Sequence, residues 1–190
     1  MIGTLLPYIE TYTGTKFYFL EPTEESINIE DIAHALSNNC RYTGHCRSFY
    51  SVAEHSYIVS LIVDQPNALA GLLHDASEAY LTDVASPVKP YLENYKSMEN
   101  VIMTVIAKKY GFEWPLVDDI KDADAVQLKS EAKHLMHSQG QDWAAHYPTK
   151  RENGKVPKCL SPRYAKQLFL ERFYALTNTR PIERSLIVAA

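Results

Sequence analysis

Apolar positions recur at helical spacing along most of this chain, with one early exception. Residues 11–20 read Thr-Tyr-Thr-Gly-Thr-Lys-Phe-Tyr-Phe-Leu. Aromatic and β-branched residues around Gly14 predict a small β-hairpin there. A polar, Pro-containing link covers residues 21–26. Asn28 is placed to cap a short helix running through Leu36, with Glu30 and Asp31 in the first turn, where the helix dipole favours acids. Residues 38–49 are polar, contain Gly44 and read as a loop. A helix is expected over residues 50–63, with Val52, Tyr57, Ile58, Leu61 and Ile62 on its apolar face. Pro66 then opens a helix from Asn67 to about Leu81 that is apolar except at His74, Asp75, Ser77 and Glu78. Pro87 and Pro90 mark a turn into a long helix over residues 91–110, ended by Gly111. Further helices are expected over about 115–136 and 162–176, separated by an irregular stretch at 138–160. The class is all-α with a minor hairpin, in one domain covering residues 1–190.

Composition narrows the function classes. Hydrophobic residues make up 46% and charged residues 22%, as in a soluble globular protein. The formal net charge of -4 provides no global basic field to draw the chain to nucleic acid or an acidic membrane. A phosphorylated small molecule stays open, because a metal and a few local cations suffice to bind one. Met1-Ile2-Gly3-Thr4 shows no positive region followed by an apolar core, and no apolar run reaches membrane-span length. A cytoplasmic location is therefore expected. The odd cysteine count, Cys40, Cys46 and Cys159, argues against a disulfide framework. Cys40 and Cys46 could be metal ligands, but reduced, partly buried thiols are the plainer alternative.

The chemistry concentrates on His74-Asp75, inside an apolar helix where unpaired polar groups are costly. His55 lies one helix earlier and Asp124 two helices later. Two imidazoles and two carboxylates suit a divalent transition metal such as Mn, Co, Fe, Ni or Zn. Such an ion activates water and polarises a phosphoryl oxygen. A His–Asp dipeptide alone would better fit a satisfied core pair, and its context decides otherwise.

Five motifs stand in order: Ser51-Val52-Ala53-Glu54-His55-Ser56, His74-Asp75-Ala76-Ser77-Glu78, Asp83, Ser86-Pro87-Val88-Lys89 and Asp122-Ala123-Asp124-Ala125. Together they resemble the motifs of HD-domain nucleotide phosphohydrolases, over about residues 31–136. The likeness is close to bacterial 5'-deoxynucleotidases. In Cys40-Arg41-Tyr42-Thr43-Gly44-His45 it looks closer to small phage and bacterial HD proteins that include phage dATP triphosphohydrolases.

The resemblance implies a compact HD-domain helical bundle with His55, His74, Asp75 and Asp124 as metal ligands. It implies that Glu78 orients or deprotonates the attacking water and that Asp83 delivers a proton or positions water near the leaving group. Glu78 follows His74 by four residues, so on a continuous helix the two share a side. Arg41 matches a bidentate phosphate grip, Lys89 a second phosphate ligand, Tyr42 an aromatic beside the sugar and Pro87 a wall of the nucleoside pocket. Tyr42 stands where the bacterial deoxynucleotidases carry Trp. Mg could accompany the substrate phosphates. The family's members are often dimers or hexamers, which makes a homo-oligomer the expected state and residues 138–160 a candidate contact.

Residue types alone leave plainer roles open. Arg41 could be an exposed loop charge, Tyr42 ordinary core, and Glu78 the partner of a buried cation. His45 could be a site residue or a structural hydrogen bonder. His134 and His137, near Glu131, read as a solvated helix face, and His34 and His146 have no evident partners. Lys150, Arg151, Lys155 and Lys158 read as a solvated loop that could cover the terminal phosphates of a triphosphate.

Three functions compete. The leading one is hydrolysis of a nucleotide at the C5'-linked phosphate, favoured as a dATP or dNTP triphosphohydrolase, with a dNMP 5'-deoxynucleotidase as its alternative. The second is hydrolysis of a signalling nucleotide, which usually comes with extra motifs or domains. The third is a non-catalytic, metal-stabilised binding protein, which the retention of Glu78 and Asp83 disfavours.

Overall fold

Helix α2, Val52–Ile62, is the element around which the others are arranged. It packs against α1 (Ile29–Asn38), α3 (Ala68–Leu73), α6 (Asp118–Leu135) and α7 (Pro162–Thr177). The computed structural model describes residues 6–141 and 146–179, so the chain start on which the leader expectation rests lies outside the described residues. A short α4 (Glu78–Leu81) follows α3, and α5 (Tyr95–Tyr110) precedes α6. The main core joins Ile32 and Leu36 of α1 to Val52 and Ala53 of α2 and to Leu72 and Leu73 of α3. Ile102, Met103 and Ile106 of α5 and Phe169 and Phe173 of α7 complete it. No helix among the described residues is long and apolar enough to cross a membrane.

The expected hairpin exists, but its first strand precedes the aromatic run and only its second lies within it. Strand β1 is Ile9–Glu10 and β2 is Lys16–Phe17, paired antiparallel with Ile9 opposite Phe17 and Glu10 opposite Lys16. Asp31, buried in the first turn of α1, ties the connecting loop down. Its carboxylate accepts from the Thr11 hydroxyl at 2.8 Å, the Thr13 hydroxyl at 2.8 Å and the Thr13 amide at 2.7 Å. Asn28 caps α1 as expected, its side chain accepting from the Glu30 amide.

The helix expected from Asn67 to Leu81 is broken. After Leu73 the chain tightens: the amides of Ala76, Glu78, Ala79 and Tyr80 each donate to the carbonyl three residues back. His74 and Ser77, at the two ends of that turn, keep right-handed helical φ and ψ, and His74 Nε2 lies 3.2 Å from Asp75 Oδ2. The turn removes the helical argument that put Glu78 on the side of His74. Gly71 permits the close approach of α3 to α2, since a Cβ there would meet Val63 Cγ2 at 3.0 Å. The helix expected over 91–110 begins only at Tyr95, because residues 89–91 form a 3-10 turn and Asn94 takes a left-handed conformation, φ 65°. Gly111 does end it, at φ 75°. The helix expected from about 115 starts at Asp118, with Asp118 and Asp119 in its first turn.

The irregular stretch at 138–160, of which residues 142–145 lie outside the described residues, is a strap clamped onto the helices. Arg151 pairs with Asp119 and with Asp122, the latter at 2.9 Å. Gln127, buried on α6, donates to the Lys155 carbonyl and accepts from the Lys155 amide. Glu54, 2% exposed, closes the far end, accepting from the amides of Lys158 at 2.6 Å, Cys159 at 3.2 Å and Leu160 at 2.7 Å. Three amides then depend on one buried carboxylate. Glu54→Ala is expected to destabilise the fold by about 3 kcal/mol, the order expected when buried partners of a charged group are orphaned. Glu54→Gln, which keeps an acceptor, is expected to lose clearly less. Urea unfolding of the two variants checks the ranking.

Candidate metal centre

Four side chains from three parts of the chain converge beside α2. His55, from the first half of α2, is fully buried, and His74 is 8% exposed. Their Nε2 atoms lie 3.2 Å apart. Asp124 Oδ1, from the middle of α6, lies 3.1 Å from His55 Nε2 and 3.9 Å from His74 Nε2. The donor atoms of His55, His74 and Asp124 fall within 4.8 Å of one another. Asp75 Oδ2 joins them at 3.2 Å from His74 Nε2 and 3.7 Å from His55 Nε2. Donors bound at about 2.1 Å to neighbouring positions of one octahedral ion sit about 3.0 Å apart, close to these separations. The side chain of Asp124 is 43% exposed, so the cluster opens towards solvent on that side.

The hydrogen bonds on the far nitrogens set the tautomers. His74 Nδ1 donates to the Gly71 carbonyl at 2.8 Å, and a carbonyl can only accept. His55 Nδ1 lies 2.6 Å from Glu131 Oε1, and the carboxylate accepts from it. With both Nδ1 atoms so engaged, the two Nε2 atoms face each other at 3.2 Å, an arrangement that a cation between them, whether a proton or a metal ion, relieves. Burial and Arg41 oppose a proton on His55, but Glu131 and Asp124 outweigh them and raise its pKa to about 10. Asp75 is held well below the carboxylate range: burial works against this, and His74, His55 and Arg41 overcome it. Asp124 is likewise lowered, against burial, by its bond to His55 and by both imidazoles. The donor set therefore fits a divalent cation.

Glu131 is the residue that the sequence reading passed over, taking it as a neighbour of the surface histidines. It is fully buried and accepts four hydrogen bonds. Tyr50 Oη at 2.8 Å and His55 Nδ1 bind Oε1. Arg41 Nε at 3.1 Å and Tyr42 Oη at 2.7 Å bind Oε2. Against burial, Arg41 and His55 lower its pKa to about 2. A signal existed: Glu131 follows Asp124 by seven residues, two helical turns along the same face. His134 and His137 are both exposed, but α6 ends at Leu135, so His137 lies in the turn beyond it and not on the helix face expected for the pair.

The other expected residues divide. Arg41, 9% exposed, brings Nη1 to 3.6 Å from Asp75 Oδ2, so the guanidinium borders the cluster and is no exposed loop charge. Tyr42 is half-buried beside it, with its ring 5.4 Å from the Arg41 guanidinium carbon. Glu78 is 5% exposed, and burial, Asp75 and Asp83 hold its carboxyl well above the usual range, with Lys89 and Arg41 opposing. Its Oε1 lies 3.3 Å from Lys89 Nζ, and its Oε2 has no partner among the described residues. Asp83 is also raised, chiefly by burial, with Arg41 opposing. Lys89 is bound to two carboxylates, Glu78 and, at 3.1 Å, Glu99. Pro87 is exposed in the turn before Lys89. His45 is exposed, and its amide donates to the Tyr42 carbonyl.

No protein-family model matches the chain. It is similar to YfdR, an uncharacterized protein of Escherichia coli K12, at 38% identity over 177 residues, covering 92% of this chain and 98% of that one. It is also similar to an uncharacterized protein of Rhodobacter capsulatus, at 34% identity over 137 residues, covering 65% of this chain and 70% of that one. At 38% identity over nearly the full length of both chains, this protein belongs to the family of YfdR.

Proposed function

We propose that this protein is a metal-dependent phosphohydrolase of the HD-domain superfamily that cleaves deoxynucleotides at the C5'-linked phosphate. The observation that carries the reading is the convergence of His55, His74, Asp75 and Asp124, with a buried, half-paired Glu78 and an arginine at the edge of the same cluster. A divalent ion held there would supply an activated water and a polarised phosphoryl oxygen. The chain's own groups do the rest. Glu78, with its carboxyl raised by burial and by Asp75, is poised to take a proton from the attacking water. Asp83, raised by burial, can hold a proton for the leaving group. Arg41 presents a planar fork at the border of the cluster, suited to phosphate oxygens.

Two substrates fit that chemistry. The loop from Cys40 to His45 resembles the triphosphohydrolases and supports dATP, released as deoxyadenosine and triphosphate. The charge arrangement supports a monophosphate instead. Arg151 is committed to Asp119 and Asp122, and Lys89 to Glu78 and Glu99, so neither is free for a second or third phosphate, and of the named cations Lys150, Lys155 and Lys158 keep exposed ammonium groups in the strap.

Purified protein is expected to carry a divalent transition metal, removable with EDTA together with all activity. His74→Ala and Asp75→Ala should each cut the metal content severely in elemental analysis, and full occupancy in both would show the ligands to be misassigned. Glu131→Gln should weaken metal affinity by about 10–100-fold, because the acceptor that orients His55 loses its charge. A titration with a competing chelator measures this.

Metal-loaded Glu78→Ala is expected to keep its fold and lose about 10²–10⁴-fold in kcat. Unchanged kcat in a metal-replete sample removes Glu78 from the mechanism.

A panel of dNTPs, NTPs, dNMPs and NMPs with Mn or Co, resolving triphosphate from phosphate, separates the two substrates. Good hydrolysis of dNMPs with dNTPs untouched selects the monophosphate. Tyr42→Ala should raise ATP turnover relative to dATP if the ring excludes a 2'-hydroxyl. Tyr42→Phe, which keeps the ring and loses the hydroxyl with its bond to Glu131, should leave that ratio in place.

A further inference from the structure

Cys40 and Cys46 close the loop that carries Arg41 and Tyr42, and their sulfurs lie 3.6 Å apart. Both thiols are free and partly exposed. Between them Tyr42, Thr43 and Gly44 take left-handed conformations in succession, with φ of 58°, 54° and 78°. That curl turns the chain back on itself and brings the two sulfurs face to face. Residues with a Cβ rarely adopt it, so the loop has to be held from outside. Its start is fixed where Cys40 bridges Ser51 and the Arg41 amide donates to the Tyr50 carbonyl. Its end is fixed where the Arg47 amide donates to the Leu135 carbonyl. Its middle is fixed where Tyr42 donates to Glu131.

Two cysteines so placed could serve a metal or a disulfide. A structural thiolate site needs further ligands. Among the described residues, no third metal-binding side chain joins the two sulfurs, and the three-donor group is the one at His55, His74 and Asp124. A disulfide needs only the pair. The bond length is about 2.05 Å, so the sulfurs would close by about 1.5 Å, a movement that a six-residue separation absorbs locally.

We propose that Cys40 and Cys46 are a redox-modification site, oxidised by a low-molecular-weight disulfide to an intrachain disulfide that clamps the loop bearing Arg41 and Tyr42. With the sulfurs 3.6 Å apart, we assign the opening attack to Cys40 and the second attack to Cys46. The Cys40 thiol gives up its proton, and its sulfur attacks the small disulfide. One S–S bond forms, the original S–S bond breaks, and one small thiolate leaves and takes up that proton. Cys46 then gives up its proton and attacks Cys40 Sγ in the mixed disulfide, expelling the second small thiolate, which is protonated in turn. Two protein thiols are oxidised, and one small disulfide is reduced to two thiols. Because the sulfurs already face each other, the bond fixes the present loop and does not displace it.

What the clamp does to substrate rests on the hydrolase reading, but formation of the bond does not, and the experiment reads the bond. The full chain carrying Cys159→Ser is incubated with oxidised glutathione, denatured, treated with a maleimide tag and analysed by intact mass and tryptic mapping. Trypsin cuts after Arg41, so the peptides holding Cys40 and Cys46 separate unless a disulfide joins them. The expected result is a loss of two hydrogens, no maleimide on either sulfur, a joined peptide and full reversal by dithiothreitol. The unfolding temperature should rise by about 5 °C, as for a short closed loop in a chain of this size. Full maleimide labelling after incubation, or a glutathione adduct that persists on one cysteine, overturns the proposal. A lowered unfolding temperature in the bonded form overturns the clamp. Adding Cys46→Ser should convert the joined peptide into a glutathione adduct on Cys40, and no modification at all in that variant would also count against the proposed route.

Discussion

A fully buried carboxylate is costly unless every lone pair is answered, and Glu131 is the place where this protein meets that constraint. A carboxylate offers about four acceptor positions. Two tyrosines, an arginine and a histidine fill them, two to each oxygen. The four donors come from the loop at residues 41–44, from Tyr50 two residues before α2, and from α2 itself, and the acceptor comes from α6. One side chain thereby welds the α2–α6 contact to the loop.

Much of the site's geometry follows from that weld. His55 is held with Nε2 facing His74, so the candidate ligand set is preorganised before any ion arrives. Arg41 is held with one edge on Glu131 and another near Asp75, which places the candidate phosphate grip at the border of the candidate ligands. Tyr42 is kept in a left-handed conformation that its own backbone disfavours. A second buried carboxylate, Glu54, plays a parallel part on the other side of α2, gathering the amides of the strap. Both acids sit on or against α2, which explains why a helix with so many polar residues can be central to the core.

The break between α3 and α4 is of a different kind. A regular helix through residues 74–77 would bond each amide four residues back, whereas here the bonds run three residues back. His74 and Asp75 both lie beside His55. Glu78 then starts a new short helix, and its carboxyl meets Lys89 on the far side of the intervening turn. The acid and the cation that the motif order suggested as base and phosphate ligand are thus also each other's partners.

The sequence by itself determined the helical class, the hairpin, the cap at Asn28, the helix stop at Gly111 and the meeting of His55, His74, Asp75 and Asp124. The class, hairpin, cap and stop are legible because periodicity, caps and glycine stops are local properties, and His74 and Asp75 single themselves out as costly polar residues in an apolar stretch, whereas Asp124, on the polar α6 and with its side chain 43% exposed, stands out only through the motif order. Only the tertiary structure decided that Glu131 is the hub, that Arg41 and Tyr42 are its partners, that Lys89 is shared by Glu78 and Glu99, and that Pro87 faces solvent. Glu131 meets its four donors across 76 to 90 residues of chain. No local pattern encodes such a distance, since which face of α6 meets α2 is fixed by packing. The broken helix belongs with these: the apolar pattern over residues 67–81 reads as one continuous helix, and the 3-10 bonding after Leu73 is visible only in the structure.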